Sequence, residues 1–197
     1  MNLFLLKGDK MKRLMIDMDN CITDALFIER INEFLGTNYK LNEQSEFRLQ
    51  NLLGNKVNDF WKYMENKSFY DDVKLIDGCA GAMKKLNEKY ELYIITAFLY
   101  PDSKPDINGN NLKFIYEYLR KNLPFISPKQ YIFIEDKEII QSDIAIDDRL
   151  KHLKSAKTKI LFDAWHNRNI SDETLKEQGV IRVHTWKEIM KILDNNN

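Results

Sequence analysis

The sequence has few of the features that would place it in a specialised class of proteins. Its 197 residues include only two cysteines, Cys21 and Cys79, and their spacing does not match that of paired metal ligands. Lys and Arg together number 30, as do Asp and Glu, so the chain lacks the positive excess of a protein that binds duplex nucleic acid. We therefore expect a reducing, cytoplasmic setting and no duplex nucleic acid partner.

Long apolar runs are also absent. No stretch approaches the roughly 20 apolar residues that cross a bilayer. The apolar run at residues 3–6 is too short for the core of a signal peptide, and no small-residue cleavage site follows it. These absences predict no membrane partner and no secretory leader. The composition, 44% apolar and 30% charged, suits a globular protein. A length of 197 residues suffices for one domain with a real core or for one core domain that carries an insertion.

Short apolar runs recur along the chain, with helical patterns between them. Most of the runs are continuous rather than alternating, as expected for parallel strands covered on both faces. Cys79, Met83 and Leu86 keep the spacing of a helix, and Thr185 with Glu188 forms the capping box of a last helix. Strands that alternate with helices predict a three-layer, Rossmann-like α/β core with a parallel sheet. The predicted strands lie at residues 14–16, 92–95, 131–134, 144–146, 160–162 and 180–183.

One segment interrupts the alternation of strands and helices. Residues 25–72 contain helical patterns and no strand, with Gly36 and Gly54 where helix C-caps are expected. The segment directly follows the first strand, so it would overhang the carboxyl end of the sheet, where open α/β sheets bind ligands. We predict a core domain at residues 1–24 and 73–197, and a small helical cap at residues 25–72. A connection without a role in binding is the alternative.

Acidic pairs end two of the predicted strands. Asp17 and Asp19 follow the first apolar run, and residues i and i+2 of an extended chain point to the same side. Asp147 and Asp148 end another run. Neighbouring carboxylates need a compensating charge. We therefore expect one carboxylate-rich site that binds a hard cation.

Thr96 and Lys137 also follow strand-like runs. Each of these features alone has an ordinary explanation, such as a turn, a helix cap or a surface charge. Because the carboxyl ends of parallel strands lie on one edge of a sheet, four such features in series favour a shared site.

This ordered set resembles the haloacid dehalogenase superfamily, and more narrowly its 5'(3')-deoxyribonucleotidase family. His166 lies in one of the matching stretches, residues 160–167, and we expect it to have a structural role. The stretches that carry the resemblance are residues 16–20 (IDMDN), 75–78 (LIDG), 94–96 (IIT), 135–137 (EDK), 145–149 (AIDDR), 160–167 (ILFDAWHN) and 184–186 (HTW).

The resemblance implies a Mg²⁺-dependent phosphomonoesterase that acts on nucleoside monophosphates, with 5'(3')-deoxyribonucleotides as the expected substrates. Asp17 would be the nucleophile that forms an aspartyl-phosphate, and Asp19 would serve as general acid and base. Thr96 and Lys137 would bind the phosphoryl group. The implied Mg²⁺ ligands are Asp17, the backbone carbonyl of Asp19, and Asp148 or Asp147, with Asp148 favoured.

The implied substrate contacts depend on less specific patterns. A base-stacking surface in the cap would use Phe47, Phe60 or Trp61, although aromatic residues at helical spacing are more often core. Arg149 would reach the phosphate or sugar, or make a surface ion pair. The superfamily commonly has Gly where this chain has Asn20, and the nucleotidases usually have Ser where it has Ala97. Ala97 would still line the substrate site, but one phosphate-binding hydroxyl is missing.

Three other functions stay open. The first is a haloacid dehalogenase-type phosphatase of another small phosphorylated metabolite. The second, from a different class, is a receiver-like phospho-acceptor signalling module, which also combines aspartates, Thr, Lys and Mg²⁺. The helical segment at residues 25–72 and the position of Asp17 on the first strand argue against it. The third is a catalytically inactive binding protein. A homodimer also stays open.

Overall fold

The computed structural model describes residues 11–44, 49–97 and 105–194. A six-stranded parallel sheet lies at its centre, in the order β3-β2-β1-β4-β5-β6. All six predicted strands are confirmed, with small differences at their ends. The strands are β1 (Arg13–Asp17), β2 (Glu91–Thr96), β3 (Tyr131–Phe133), β4 (Ser142–Asp147), β5 (Ala156–Phe162) and β6 (Val180–Val183).

Helices connect the strands, and the predicted helices at Cys79–Lys89 and at the chain's C-terminal end are both present. Short 3-10 helices occur at Leu41–Glu43, Leu49–Lys56, Pro128–Gln130, Lys137–Ile139 and Leu150–Leu153. The α-helices are α1 (Phe27–Leu35), α2 (Val57–Tyr63), α3 (Cys79–Lys89), α4 (Pro105–Asn122), α5 (Asp172–Glu177) and α6 (Trp186–Asp194).

Both faces of the sheet are covered, as the continuous apolar runs predicted. Ile144 and Ile146 of β4 belong to the larger hydrophobic cluster, whereas Ala145 between them belongs to a second cluster with Leu153 and Leu175. Successive side chains of a strand point to opposite faces. The two clusters therefore lie on opposite sides of the sheet, which confirms the α/β fold class.

The order of the strands reverses in the middle of the sheet. From β1 the chain moves outward through β2 and β3, then returns to place β4 on the other side of β1. In open α/β sheets a ligand crevice forms at such a switch point, outside the carboxyl ends of the two central strands. Here those strands end at Asp17 and Asp147.

The described part of residues 25–72 is helical and contains no regular strand. Gly36 ends α1 with a left-handed φ of 68°, as the predicted C-cap requires. Gly54, with φ 54° and ψ −126°, instead marks a kink inside the 3-10 segment Leu49–Lys56. The division of the chain into a core and a cap stays a prediction.

The two ends of this helical segment run side by side. Thr23 forms an antiparallel bridge with Leu75, and the Ile76 N–H donates to the Ile22 carbonyl at 2.9 Å. The segment therefore leaves and rejoins the sheet domain at one place, close to the end of β1. Among the described residues, no helix is both long and apolar enough to cross a bilayer.

The last helix fixes the loop that follows β1. The Glu188 N–H donates to Thr185 Oγ1 at 3.2 Å, whereas the Glu188 carboxylate accepts from the His184 N–H, one residue before the predicted position. Trp186, at the start of α6, is 1% exposed, and its indole N–H donates to the Cys21 carbonyl at 2.9 Å. The C-terminal helix and the first acidic loop are thus joined by a buried hydrogen bond.

We predict that Trp186→Phe lowers the free energy of unfolding by about 1–3 kcal/mol, because the buried Cys21 carbonyl loses its donor. Urea unfolding of the purified protein measures the change. Trp165→Phe is the matched control, because Trp165 is only partly buried. Equal losses in the two variants would contradict the role given to the indole hydrogen bond.

Candidate active site

Three carboxylates meet at the carboxyl ends of the two central strands. Ile16 of β1 lies opposite Ile146 of β4, so the next residues, Asp17 and Asp147, end the two strands side by side. One carboxylate oxygen from each of Asp17, Asp147 and Asp148 lies within 4.8 Å of the others. Their exposed fractions are 5%, 3% and 2%. Buried carboxylates at this spacing need a neutralising partner.

Lys137 supplies part of that neutralisation. Its ammonium group lies 2.5 Å from Asp17 Oδ1 and 3.2 Å from Asp147 Oδ2, and the residue is 5% exposed. Lys137 begins the 3-10 turn after β3, where the Asp136 side chain accepts the Glu138 N–H. Burial alone would lower the pKa of Lys137, but Asp147 and Asp17 raise it well above its usual range. The lysine therefore stays charged.

Asp147 is saturated with partners. Besides Lys137, it accepts the Arg149 N–H at 2.8 Å, and His152 Nδ1 lies 3.1 Å from Oδ1. Burial would raise the pKa of Asp147, but Lys137 and the hydrogen bond with His152 hold it at about 2. Sequence reasoning missed His152, whose only signal was its position shortly after the acidic pair.

Asp148 is held differently. His166 Nε2 lies 2.8 Å from Asp148 Oδ2, and the Asn20 amide donates to the same oxygen at 2.7 Å. The Asn167 side chain donates to the Asp148 backbone carbonyl at 2.8 Å. Among the described residues, Asp148 Oδ1 has no hydrogen-bond partner. His166 is thus a partner of Asp148, and its structural role stays a prediction.

Asp19 lies outside the three-carboxylate cluster. The prediction assumed an extended chain through Asp19, but β1 ends at Asp17, and Asn20 adopts a left-handed φ of 58°. The Tyr70 hydroxyl, from the end of the helical segment, donates to Asp19 Oδ1 at 3.0 Å. The sequence analysis did not identify Tyr70, because no strand-end pattern marks it.

Burial sets the charge state of both aspartates near β1. It raises the pKa of Asp17, with the Asp147 carboxylate adding to the rise and Lys137 opposing it. Burial also raises the pKa of Asp19 to about 7, although the hydrogen bond from Tyr70 lowers it. A carboxyl group with that pKa can donate and accept a proton near neutral pH.

Thr96 ends β2, beside Asp17. The strands β1 and β2 pair with Asp17 opposite Ile95, so Thr96 is the next residue toward the site. Thr96 is 2% exposed, and within the described part of the chain its hydroxyl donates to the neighbouring Ala97 carbonyl alone, at 3.1 Å. Ala97 is partly exposed. A hydroxyl with such a weak local partner can turn to a ligand oxygen.

Phe60 and Trp61, two of the predicted base-stacking residues, are buried. Trp61 is 4% exposed, and its ring lies 5.2 Å from Phe60 and 6.4 Å from Phe69, so it packs in the aromatic core of the helical segment. Phe47 lies outside the described residues. The Arg149 side chain is partly exposed at the cluster's edge. The substrate contacts of Trp61 and Arg149 stay predictions.

The donor set of the cluster fits a hard divalent cation. If Asp17, Asp147 and Asp148 are all ionised, one ammonium group faces three negative charges. Carboxylate oxygens are the ligands that Mg²⁺ prefers, and it commonly uses only one or two of them. Because Asp147 already has three partners, the oxygens best able to contact a cation belong to Asp17 and Asp148.

Comparison with known proteins agrees with this arrangement. A sequence model of the family described as 5' nucleotidase, deoxy (pyrimidine), cytosolic type C protein matches residues 10–195. The chain is 33% identical over 186 residues to the 5'(3')-deoxyribonucleotidase of Bacillus subtilis strain 168, in a match that covers 92% of this chain and 98% of the relative. A 5'(3')-deoxyribonucleotidase of Bacillus phage SPbeta matches with the same identity and coverage.

Among solved structures, the chain is similar to a conserved haloacid dehalogenase-like protein of unknown function from Agrobacterium tumefaciens strain C58. The TM-score is 0.57 at 15% identity, and the match covers 94% of this chain and 98% of that chain. This likeness concerns the fold alone. The match to the family model and the 33% identity to the Bacillus subtilis relative show which family this is: the chain belongs to the family of 5' nucleotidases, deoxy (pyrimidine), cytosolic type C.

Proposed function

We propose that the protein is a Mg²⁺-dependent phosphomonoesterase that hydrolyses deoxyribonucleoside monophosphates through an aspartyl-phosphate on Asp17. The observation that carries the proposal is the meeting of Asp17, Asp147, Asp148 and Lys137 at the switch point of the sheet. The chain belongs to a nucleotidase family, which supports nucleoside monophosphates as the substrate class and argues against a receiver-like signalling module.

Asp17 is the proposed nucleophile. Its Oδ1 accepts the Met18 N–H at 2.7 Å and contacts Lys137, so the carboxylate is held in one orientation. An oxygen of Asp17 attacks phosphorus, the bond from phosphorus to the nucleoside oxygen breaks, and the phosphoryl group is carried on Asp17. Water then attacks phosphorus and releases phosphate, which restores the carboxylate.

Asp19 is the proposed general acid and base. In its neutral form it gives its proton to the departing nucleoside oxygen, and in its ionised form it takes a proton from the attacking water. The hydrogen bond from Tyr70 holds its carboxyl group in place. Because Tyr70 belongs to the helical segment proposed as a cap, that segment positions the acid.

Positive charge and hydrogen-bond donors stabilise the transferring group. Lys137 is fixed between two aspartates, so its charge requires no reorganisation during the reaction. Thr96 offers its hydroxyl to a phosphoryl oxygen. Bound at Asp17, Asp148 and the backbone carbonyl of Asp19, Mg²⁺ would neutralise the phosphate and polarise its oxygens.

Phosphate release with and without Mg²⁺ tests the whole proposal. The wild-type protein should release phosphate from a panel of deoxyribonucleoside monophosphates only when Mg²⁺ is present, and chelation should abolish that release. Asp17→Asn should reduce release to background, because an amide is a poor nucleophile. Asp172→Asn, at an exposed position on α5, is the matched control and should keep full activity.

A colorimetric phosphate assay measures the outcome, with thermal unfolding to confirm that each variant is folded. Activity that persists in Asp17→Asn or in excess chelator would rule out the mechanism. Turnover of a sugar phosphate without turnover of any nucleotide would instead select a phosphatase of another small metabolite.

Substitution of Thr96 tests the role of its hydroxyl separately. Thr96→Val removes the hydroxyl but keeps the side-chain shape, so kcat/KM should fall about 10²–10³-fold, as for loss of one donor to a transition-state oxygen. Stability should fall by only about 0.5–1.5 kcal/mol, because one local hydrogen bond is lost.

Thr96→Ser keeps the hydroxyl and is the control for Thr96. Steady-state kinetics of both variants on the best substrate of the panel test the role. If the valine variant were as active as the serine variant, Thr96 would have no part in binding the phosphoryl group.

A further inference from the structure

We propose that Asn20 is a positioning residue whose side-chain amide orients Asp148 to bind Mg²⁺. The inference deepens the proposed function and depends on it. Asn20 stands where the superfamily commonly has Gly, so its side chain adds a group that the turn itself does not need. This group, the side-chain amide, contacts Asp148 of the carboxylate cluster.

The contact joins two loops that are distant in sequence. The Asn20 amide nitrogen lies 2.7 Å from Asp148 Oδ2, and the residues are 128 positions apart. His166, in the loop after β5, contacts the same oxygen, with its Nε2 at 2.8 Å. Two donors on Oδ2 fix the plane of the carboxylate, and they leave Oδ1 as the oxygen available to a cation.

The turn and the amide are separate contributions of Asn20. Its backbone is left-handed, with φ 58°, and its N–H donates to the Thr23 carbonyl at 2.7 Å. Asparagine tolerates this conformation better than most residues, and glycine tolerates it best. A glycine would therefore keep the turn and lose only the amide.

The chemistry of the donors explains why Asp148 rather than Asp147 would bind the ion. Asp147 contacts the ammonium group of Lys137, which already neutralises part of its charge. Asn20 offers a neutral amide, so its contact orients the Asp148 carboxylate without placing a positive charge beside it. Partners that orient a ligand in this way commonly change metal affinity by roughly 10–100-fold when removed.

The backbone around Asp148 is also held in place. The Asn167 side chain donates to the Asp148 carbonyl at 2.8 Å, and the Arg182 guanidinium donates to Asn167 Oδ1 at 2.8 Å. Because the main chain at Asp148 is held from this side, the carboxylate of Asp148 can still move by rotation of its side chain. Asn20 restricts that rotation from the loop after β1.

The test compares Asn20→Gly with Asn20→Ala by calorimetric titration of Mg²⁺ into the protein without substrate. Both variants lose the amide, so both should bind Mg²⁺ roughly 10–100-fold more weakly than the wild type. Thermal unfolding without Mg²⁺ should separate them, because alanine is strained at this φ and glycine is not.

Asp72→Gly is the matched control. Asp72 is the other non-glycine residue with a left-handed φ among those described, at 57°, and it is exposed. This variant reports the effect of a glycine at such a position without an amide beside the cluster. Its affinity for Mg²⁺ should equal that of the wild type.

Wild-type affinity in Asn20→Gly would overturn the inference, and so would weaker binding in the alanine variant alone, because both results reduce Asn20 to a turn residue. If Asn20→Ala does not fold, Asn20→Gly decides by itself. If the wild-type protein binds no Mg²⁺, the proposed function fails first, so the two failures are distinguishable.

Discussion

Three buried carboxylates share one buried ammonium group at the centre of this protein, and the rest of the site follows from that imbalance. Lys137 contacts both Asp17 and Asp147, yet Asp148 adds a charge that it does not touch directly. Removal of charges from water is expensive unless partners replace the solvent. The fold meets that cost with donors from several loops, and it leaves an excess of negative charge that a divalent cation can neutralise. Such a centre fits the proposed reaction, in which a doubly charged phosphate would bind together with Mg²⁺.

The sheet and its connections keep these groups together. Reversal of the strand order places β1 and β4 side by side, so both acidic pairs emerge at one crevice. The crevice is held from outside the sheet by two further links. Trp186 joins the last helix to the loop after β1, and Tyr70 brings the end of the helical segment to Asp19. The loop after β1 is thus attached to two elements that are remote from it in the sequence.

Much of this architecture could be predicted from the sequence, because its signals are local. Continuous apolar runs identified the six strands. Asp17, Thr96 and Lys137 follow three of those runs, so their position at one edge of the sheet could also be predicted. Contacts made by loops could not be predicted. The bonds of His152 and Tyr70 depend on how the chain turns after a strand ends, which apolar spacing does not encode. Aromatic spacing predicted helices in residues 25–72 and made a core position the more common outcome for Trp61, but it could not decide between the core and a base-stacking surface.

The central claim, that the carboxylate cluster binds Mg²⁺ and that Asp17 accepts the phosphoryl group, is tested most directly by a crystal structure with Mg²⁺ and beryllium fluoride, a mimic of a bound phosphoryl group. The account predicts beryllium bonded to an oxygen of Asp17, with Mg²⁺ contacting Asp17 and Asp148 and with Lys137 beside the fluorides. Beryllium fluoride on another residue, or Mg²⁺ bound away from the ends of β1 and β4, would contradict it.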